Sequence, residues 1–163
     1  MSDKPPKEWV AGFLFLNNSV ALIRKARPEW QRGKLNGVGG KVEKGETPHK
    51  AMDREWSEET EAPSQIWFKF STLDWSGGRV HFFAARTEKA PWSFRRDTDE
   101  RVEWYAVEET TFAQAIPNLR WLIPMALDKD NVIAQVHEPG TAWNHLAADQ
   151  ARTGAVDDKK EVL

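Results

Sequence analysis

Apolar residues near the start of the chain form two runs that a polar turn separates. Trp9–Leu16 is almost wholly apolar and aromatic, which is typical of a buried strand. Asn17 and Asn18 follow, and Ser19–Lys25 then forms a second run. Two such runs around a short polar turn predict a β-hairpin at the beginning of the fold.

The same pattern returns in the second half of the chain. Gln65–Trp75 and Arg79–Glu88 alternate or run apolar on either side of a Ser-Gly-Gly turn at 76–78, which predicts a second hairpin. Arg101–Val107 predicts a further strand, and Asn131–Val136 predicts a last strand at an edge of the sheet. No internal repeat is visible among these segments.

Helical signals fall between and after the strands. Thr47 is a predicted N-cap and Pro48 suits the first helical position, so a central helix is expected to begin there and to close before Pro63. Glu108–Ala115 predicts a short helix, and Leu119–Leu127 predicts a mainly apolar helix that a proline interrupts. Strands before and after a central helix, with a second helix late in the chain, predict an α/β sandwich.

Length and composition narrow the class of protein. The chain has 163 residues, enough for one domain with a substantial core, and its net charge of −2 disfavours duplex nucleic acid and anionic membranes as partners. Cysteine is absent, which excludes disulfides and thiol catalysis, and no apolar run has the length of a membrane span. The first residues lack the apolar core of a signal peptide, so a cytoplasmic location is expected. The chain has nine tryptophans, which fit either core packing or base stacking. A homodimer is one possible oligomeric state.

The hydrophobic pattern fades near the C-terminus. We expect residues 1–140 to form the domain and residues 141–163 to form a tail that is partly packed or disordered. Trp143, Leu146 and Ala147 are spaced for one short amphipathic turn against the domain.

A cluster of acidic residues marks the central helix. Glu55, Glu58 and Glu59 stand at positions i, i+3 and i+4, so they share one helix face, where their like charges repel. A hard divalent cation relieves that repulsion, because Mg²⁺ prefers carboxylate and phosphate oxygens. Arg54 precedes Glu58 by four residues and is placed to pair with it. Taken alone, the cluster also fits a solvated helix with an acidic face.

The segment around this cluster, Gly40–Ala62, resembles the Nudix box, G-x5-E-x7-R-E-U-x-E-E-x-G-U, in which U is apolar. Glu61 departs from the motif, because the family has glycine there. A residue just past a helix end often takes left-handed backbone angles, which cost about 1 kcal/mol when the residue carries a Cβ. The matching positions are Gly40, Glu46, Arg54, Glu55, Trp56, Glu58, Glu59 and Ala62.

The resemblance implies both a fold and a chemistry. It implies a mixed sheet between helices, with the box as a loop–helix–loop motif, over about Trp9 to Leu127. It also implies hydrolysis of a nucleoside diphosphate linked to another group, with Mg²⁺ or Mn²⁺ neutralising the phosphate oxygens. The implied metal ligands are Glu55, Glu58, Glu59 and the backbone carbonyl of Gly39, with Glu46 and Arg54 supporting them.

The base that activates water often lies outside the box in similar proteins. Asp99, Glu100 and Glu103 are the candidates later in this chain. Glu100 fits best, because several relatives carry a glutamate shortly before a strand with a tryptophan, here Trp104. Each of the three also fits a surface carboxylate.

The residues before the box point to a substrate class. The lead-in Asn36–Val42 resembles that of the MutT-type nucleoside triphosphatases for oxidised purines, which implies that Asn36 contacts the base and that Asn118 is a second base contact. Asn36 also fits a turn residue before glycine, and Asn118 also fits a helix N-cap. Arg24 and Lys41 are candidates for phosphate contacts, although the basic residues around Arg24 also fit a solvated loop.

Two classes of function therefore remain. The first is a metal-dependent enzyme that hydrolyses a nucleoside triphosphate to a monophosphate and pyrophosphate, with a capped RNA end or a nucleotide sugar as alternative substrates. The second is a Nudix-fold regulator that binds nucleotides without turnover. The complete core at residues 54–59 favours the enzyme, because a binding protein has no need to retain a repulsive glutamate cluster.

Overall fold

The computed structural model describes residues 6–89, 94, 97–108, 113–128 and 134–137. Within this part of the chain, seven strands form one sheet and two α-helices pack against it. The strands are β1 (Lys7–Leu16), β2 (Ser19–Arg24), β3 (Leu35–Asn36), β4 (Phe68–Trp75), β5 (Gly78–Arg86), β6 (Arg101–Ala106) and β7 (Ala134–His137). The α-helices are α1 (Pro48–Thr60) and α2 (Leu119–Leu127), and Glu29–Gln31 forms a 3-10 turn.

Both predicted hairpins are present. β1 and β2 pair antiparallel across the turn at 17–18, and β4 and β5 pair antiparallel across the turn at 76–77. The strand order is β3-β2-β1-β5-β4-β7, and β6 pairs with β2. β1 runs parallel to β5 and β4 runs parallel to β7, so the sheet is mixed. The predicted last strand is confirmed at the edge beside β4 over Ala134–His137, and residues 131–133 of the prediction lie outside the described residues.

The sheet is buried on both faces, which explains why β1 is apolar at successive positions. Val10 and Leu14 belong to the core on the α1 side, whereas Phe13 and Phe15 belong to the core on the α2 side. Trp56 is the largest fully buried side chain of α1 and contacts Trp67 edge-on, with ring centroids 5.3 Å apart. The predicted α/β sandwich is therefore confirmed.

The helix that carries the box, α1, begins and ends where the sequence predicts. The Thr47 hydroxyl accepts a hydrogen bond of 3.3 Å from the Lys50 backbone N–H, and Pro48 occupies the first turn. At the other end, Glu61 has left-handed backbone angles, φ 54° and ψ 15°. The position that usually holds glycine therefore carries the expected strain.

Glu61→Gly is expected to stabilise the protein by up to about 1 kcal/mol, because glycine adopts left-handed angles without a Cβ clash. The greater freedom of glycine in the unfolded chain offsets part of this gain. Denaturant unfolding of parent and variant measures the difference. Glu61→Ala is the matched control, since it removes the carboxylate and keeps the Cβ. A lower free energy of unfolding for the glycine variant would show that contacts of Glu61 outweigh its strain.

Some predicted segments lie wholly or partly outside the described residues. They are the tail at 141–163, with Trp143, Leu146 and Ala147, and residues 109–112 of the predicted short helix. The predicted helix Leu119–Leu127 is confirmed, with Pro124 inside it. In the described ranges, no helix is both long enough and apolar enough to cross a membrane.

Candidate active site

The guanidinium of Arg54 joins the two ends of the box. Its Nε and Nη2 donate to the two carboxylate oxygens of Glu46, each at 3.0 Å, and Nη2 also donates to the Lys41 carbonyl at 2.9 Å. Its Nη1 donates to Glu55 at 2.9 Å and to Glu58 at 3.2 Å, which confirms the predicted pairing with Glu58. The hydrogen bond from Arg54 lowers the pKa of Glu46, so this bidentate pair stays ionised.

Glu55 and Glu59 are half-buried carboxylates of α1, and their surroundings do not fully offset the cost of burying the negative charge. Burial raises the pKa of Glu55, although the hydrogen bond from Arg54 opposes the rise. Burial also raises the pKa of Glu59, where the charge of Lys25 opposes the rise and neighbouring carboxylates add to it. A raised carboxylate pKa means that the surroundings disfavour the ionised form, and a bound cation reverses that preference.

Two glycines bring the backbone close to these carboxylates. A Cβ at Gly40 would lie 2.4 Å from the carboxylate of Glu55, so a larger residue there would have to displace that carboxylate. A Cβ at Gly39 would lie 2.0 Å from the Val10 carbonyl oxygen of β1. The carbonyls of Val38 and Gly40 accept hydrogen bonds from β1. Because successive carbonyls of an extended segment alternate in direction, the Gly39 carbonyl is turned away from β1.

The chemistry of this donor set fits a hard divalent cation. Carboxylate oxygens of Glu55, Glu58 and Glu59 together with a backbone carbonyl are ligands that Mg²⁺ and Mn²⁺ prefer. Among the described residues, no three carboxylate or imidazole groups lie close enough together to enclose a metal ion as they stand. Mg²⁺ is usually held by one or two carboxylates together with water and substrate phosphates, so an open arrangement suits a metal that binds with its substrate.

Glu100, the predicted base, is a buried residue just before β6. Its Oε1 accepts hydrogen bonds from the backbone N–H groups of Ala26 and Arg27 at 2.8 and 3.0 Å, and its Oε2 accepts from Lys25 Nζ at 2.5 Å. Burial acts to raise the pKa of Glu100, but these hydrogen bonds outweigh it and hold the pKa below its ordinary value. The Glu100 carboxylate is therefore hydrogen-bonded to the loop that follows β2.

The other two candidates for the base lie on the surface. The Asp99 carboxylate is 3.8 Å from the Arg27 guanidinium, and both side chains are exposed. Glu103 accepts a hydrogen bond of 3.0 Å from the Tyr105 hydroxyl. Neither residue lines the cavity beside the box.

That cavity has a volume of about 670 Å³ and opens beside Gly39 and Gly40. Trp9 and Trp75 form one wall, with ring centroids 5.3 Å apart, and Trp30 is 62% exposed at the edge. Such flat aromatic walls suit a planar ligand such as a nucleobase. The lining residues are Trp9, Val10, Ala11, Lys25, Arg27, Pro28, Trp30, Gln31, Asn36, Gly37, Gly39, Gly40, Lys41, Leu73, Trp75, Val80, Phe82, Ile116 and Asn118.

Both predicted base contacts line this cavity, but their amides differ in how they are bonded. Asn36 Oδ1 accepts from the Gly37 N–H at 2.7 Å, and its Nδ2 donates to Gln31 Oε1 at 3.0 Å. Asn118 Oδ1 is buried and has no hydrogen-bond partner among the described residues. Although Asn118 occupies the N-cap position of α2, its side chain makes no capping hydrogen bond. A buried acceptor without a donor is costly, so a ligand that brought a donor to Asn118 Oδ1 would gain a hydrogen bond that the protein does not supply.

The two predicted phosphate contacts are separated by the fold. Lys41 lines the cavity, but Arg24 does not. The Arg24 guanidinium donates to the Gly33 carbonyl at 2.7 Å and to Gln114 at 3.1 Å, and it lies 6.0 Å from the centroid of the Tyr105 ring. These contacts hold the Arg24 guanidinium beside Gly33, Gln114 and Tyr105, outside the lining of the cavity.

The NUDIX domain family matches residues 6–128, which include the box and every strand of the sheet except β7. The chain belongs to the NUDIX family. Nudix hydrolases generally use divalent metals, in agreement with the donor set on α1. The 8-oxo-dGTP diphosphatase of Escherichia coli (strain K12) is 33% identical over 81 residues. That match covers 47% of this Nudix chain and 63% of the relative, which is less than two thirds of the relative's length.

Solved structures share the Nudix fold with this chain. A NUDIX hydrolase from Nitrosomonas europaea aligns with a TM-score of 0.66 and 17% identity, over 84% of this chain and 82% of that chain. The MutT protein of Bacillus halodurans aligns with a TM-score of 0.59 and 19% identity, over 82% and 91%. The NUDIX domain of Shewanella oneidensis NrtR, in a cocrystal structure with ADP ribose, has a TM-score of 0.59 and 16% identity, over 76% and 87%. These likenesses confirm the predicted Nudix-type sandwich.

Sequence reasoning missed most of the aromatic wall of the cavity. The sequence pattern predicts Trp9 and Trp75 only as strand residues, and it does not distinguish Trp30 and Gln31 from the rest of the basic loop, although all four line the cavity. One available signal was position, since Trp75 ends β4 immediately before the Gly-containing turn. A large aromatic residue at such an end lies at the rim of a sheet, where ligand cavities form.

Proposed function

We propose that this Nudix protein is a metal-dependent hydrolase that cleaves a nucleoside triphosphate to a nucleoside monophosphate and pyrophosphate. One observation carries the proposal: Gly40 lies against the Glu55 carboxylate and also lines the tryptophan-walled cavity. A nucleotide whose base lay in the cavity would therefore have its phosphates close to the box carboxylates. The name of the Escherichia coli relative, 8-oxo-dGTP diphosphatase, supports the same substrate class.

The carboxylates of α1 and the Gly39 carbonyl would hold the metal. Bound Mg²⁺ or Mn²⁺ would neutralise charge on the phosphate oxygens. Arg54 serves this arrangement by fixing three carboxylates at once, those of Glu46, Glu55 and Glu58. Lys25, Arg27 and Lys41 line the cavity, where their positive charges attract the phosphate chain.

Hydrolysis also needs a group that accepts a proton from the attacking water. Glu59 is our candidate for this role within the box, because its half-buried carboxylate lies on the same face of α1 as Glu55, beside the proposed phosphate position. The water oxygen forms a bond to phosphorus, its proton passes to the Glu59 carboxylate, and the departing phosphate oxygen takes the electrons of the broken P–O bond.

A second candidate keeps the site and changes the ligand to a nucleoside diphosphate sugar. The Shewanella oneidensis domain, which has the same fold and is bound to ADP ribose, favours this candidate. The aromatic walls at Trp9 and Trp75 accept adenine as well as other bases.

A substrate panel with Mg²⁺ separates the candidates. It contains the common nucleoside triphosphates, oxidised purine triphosphates, dinucleoside polyphosphates, capped RNA and ADP-ribose, with products separated by chromatography. We expect the highest kcat/KM for a purine triphosphate, with equal amounts of monophosphate and pyrophosphate formed. Turnover of ADP-ribose alone would transfer the assignment to the second candidate, and tight binding without any turnover would make the protein a regulator.

Removal of divalent metal is expected to abolish turnover, because the repelling carboxylates cannot replace the cation at the phosphates. Excess chelator should lower kcat by more than about 100-fold, and added Mg²⁺ or Mn²⁺ should restore it. Near-normal turnover in metal-free buffer would contradict the proposed chemistry. A melting curve in the same chelator shows that the loss is not caused by unfolding.

A further inference from the structure

The carboxylate of Glu100 connects the start of β6 to a distant loop. Three donors meet it, namely the backbone N–H groups of Ala26 and Arg27 and the ammonium of Lys25. Glu100 is only 8% exposed and does not line the cavity. A buried carboxylate that two backbone N–H groups and one ammonium satisfy is bound strongly in one place.

The loop that these bonds hold, residues 25–31, forms one side of the cavity. Five of its members line the cavity: Lys25, Arg27, Pro28, Trp30 and Gln31. The far end of the loop is held by the hydrogen bond between Gln31 Oε1 and Asn36 Nδ2. Between these attachments, the side chains of Arg27 and Trp30 are exposed, so they are available to a ligand.

The geometry at Glu100 is poorly suited to proton transfer from water. A general base needs an oxygen within hydrogen-bond reach of the water that it activates. Oε1 is shared by two N–H donors, and Oε2 lies 2.5 Å from Lys25 Nζ. Taking a proton at Oε2 would break an ion pair, and taking one at Oε1 would displace the N–H groups that order the loop.

We propose that Glu100 is a positioning residue: it holds the 25–31 loop at the edge of the cavity and thereby sets the affinity for the nucleotide, and it does not accept the proton of the attacking water. The kinetic part of this inference rests on the proposed hydrolase function. The part that concerns the loop rests only on the hydrogen bonds of Glu100.

Two substitutions separate positioning from proton transfer. Glu100→Gln keeps a carbonyl oxygen for the N–H groups of Ala26 and Arg27, loses the ion pair with Lys25 and cannot serve as a base, whereas Glu100→Ala loses all of these contacts as well as the base. For Glu100→Gln we expect kcat within about threefold of the parent and an unchanged acidic limb in the pH profile. For Glu100→Ala we expect KM to rise at least about tenfold while kcat stays within about tenfold. Glu88→Gln, an exposed carboxylate after β5, is the matched control.

Two measurements do not depend on turnover. One is amide hydrogen exchange of Ala26 and Arg27 in the free protein, which should accelerate at least about tenfold in Glu100→Ala and much less in Glu100→Gln. The other is the Kd of a dGTP analogue whose α,β-bridging oxygen is replaced by methylene, which should rise in parallel with KM. If the parent hydrolyses no nucleotide, the proposed function fails while the exchange data still decide the role of Glu100. Unchanged exchange in Glu100→Ala, or a loss of kcat above about 100-fold in Glu100→Gln with unchanged Kd, would overturn the proposal.

Discussion

Glu59→Gln is expected to lower kcat by about 100- to 10,000-fold while the protein stays folded. Glutamine occupies nearly the same volume, but it cannot take a proton from water and is a weaker ligand for a hard cation. The expected stability follows from the sign of the pKa shift. Because burial raises the pKa of Glu59 in the folded protein, its ionised form is disfavoured on folding at pH 7. The neutral amide removes that penalty, so the Tm in chelator should equal or exceed that of the parent.

The matched control for this variant is Asp53→Asn on the same helix. Asp53 is exposed and accepts a hydrogen bond of 2.8 Å from the Ser64 hydroxyl, away from the box glutamates. Asp53→Asn removes one negative charge, as Glu59→Gln does, so it controls for the change in net charge. We expect kcat within about twofold of the parent for this control, as is usual for a surface change. If Glu59→Gln and Asp53→Asn had equal kcat values, the acidic face of α1 would be an ordinary solvated helix surface.

The hairpins and the carboxylate face of α1 were predictable, because the residues that determine each of them lie close together in the sequence. The hairpins follow from apolar runs around short turns, and the carboxylate face follows from the spacing of Glu55, Glu58 and Glu59 on a helix that begins at Thr47. The strain at Glu61 was predictable for the same reason, since the residue after the helix must take left-handed angles to end it in this way.

The rest of the site depends on contacts between distant segments, which local patterns do not encode. The hydrogen bonds of Glu100 span more than 70 residues of sequence. Neither its burial nor its hydrogen bonds to residues 25–27 could therefore be predicted from local patterns. Arg24 and Lys25 are neighbours with the same charge, but only Lys25, the first residue after β2, lines the cavity. The tryptophan wall likewise forms because β4 and β5 bring Trp75 beside the start of β1.

Asn118→Ala is expected to reduce the preference for purine over pyrimidine triphosphates by one to two orders of magnitude. The buried Oδ1 of Asn118 has no partner in the described part of the chain, so a donor on the base edge would satisfy it. A hydrogen bond whose loss leaves a buried polar partner unpaired is worth about 1–3 kcal/mol of discrimination, which sets the size of the change. The ratio of kcat/KM values for purine and pyrimidine triphosphates measures it, and kcat at saturation should stay within about tenfold.

Three further variants serve as comparisons for Asn118→Ala. Asn36→Ala removes an amide that the protein itself uses, between Gln31 and Gly37, so it should lower stability by roughly 1 kcal/mol and change the substrate ranking less than Asn118→Ala does. Asn18→Ala, in the exposed turn between β1 and β2, controls for loss of an asparagine away from the cavity. Asn118→Asp keeps an oxygen at the buried position, so it should retain the preference for any base that presents a donor there. An unchanged purine preference in Asn118→Ala would contradict base reading by the Asn118 amide, and stacking on the tryptophan walls would not replace it, because stacking accepts any base.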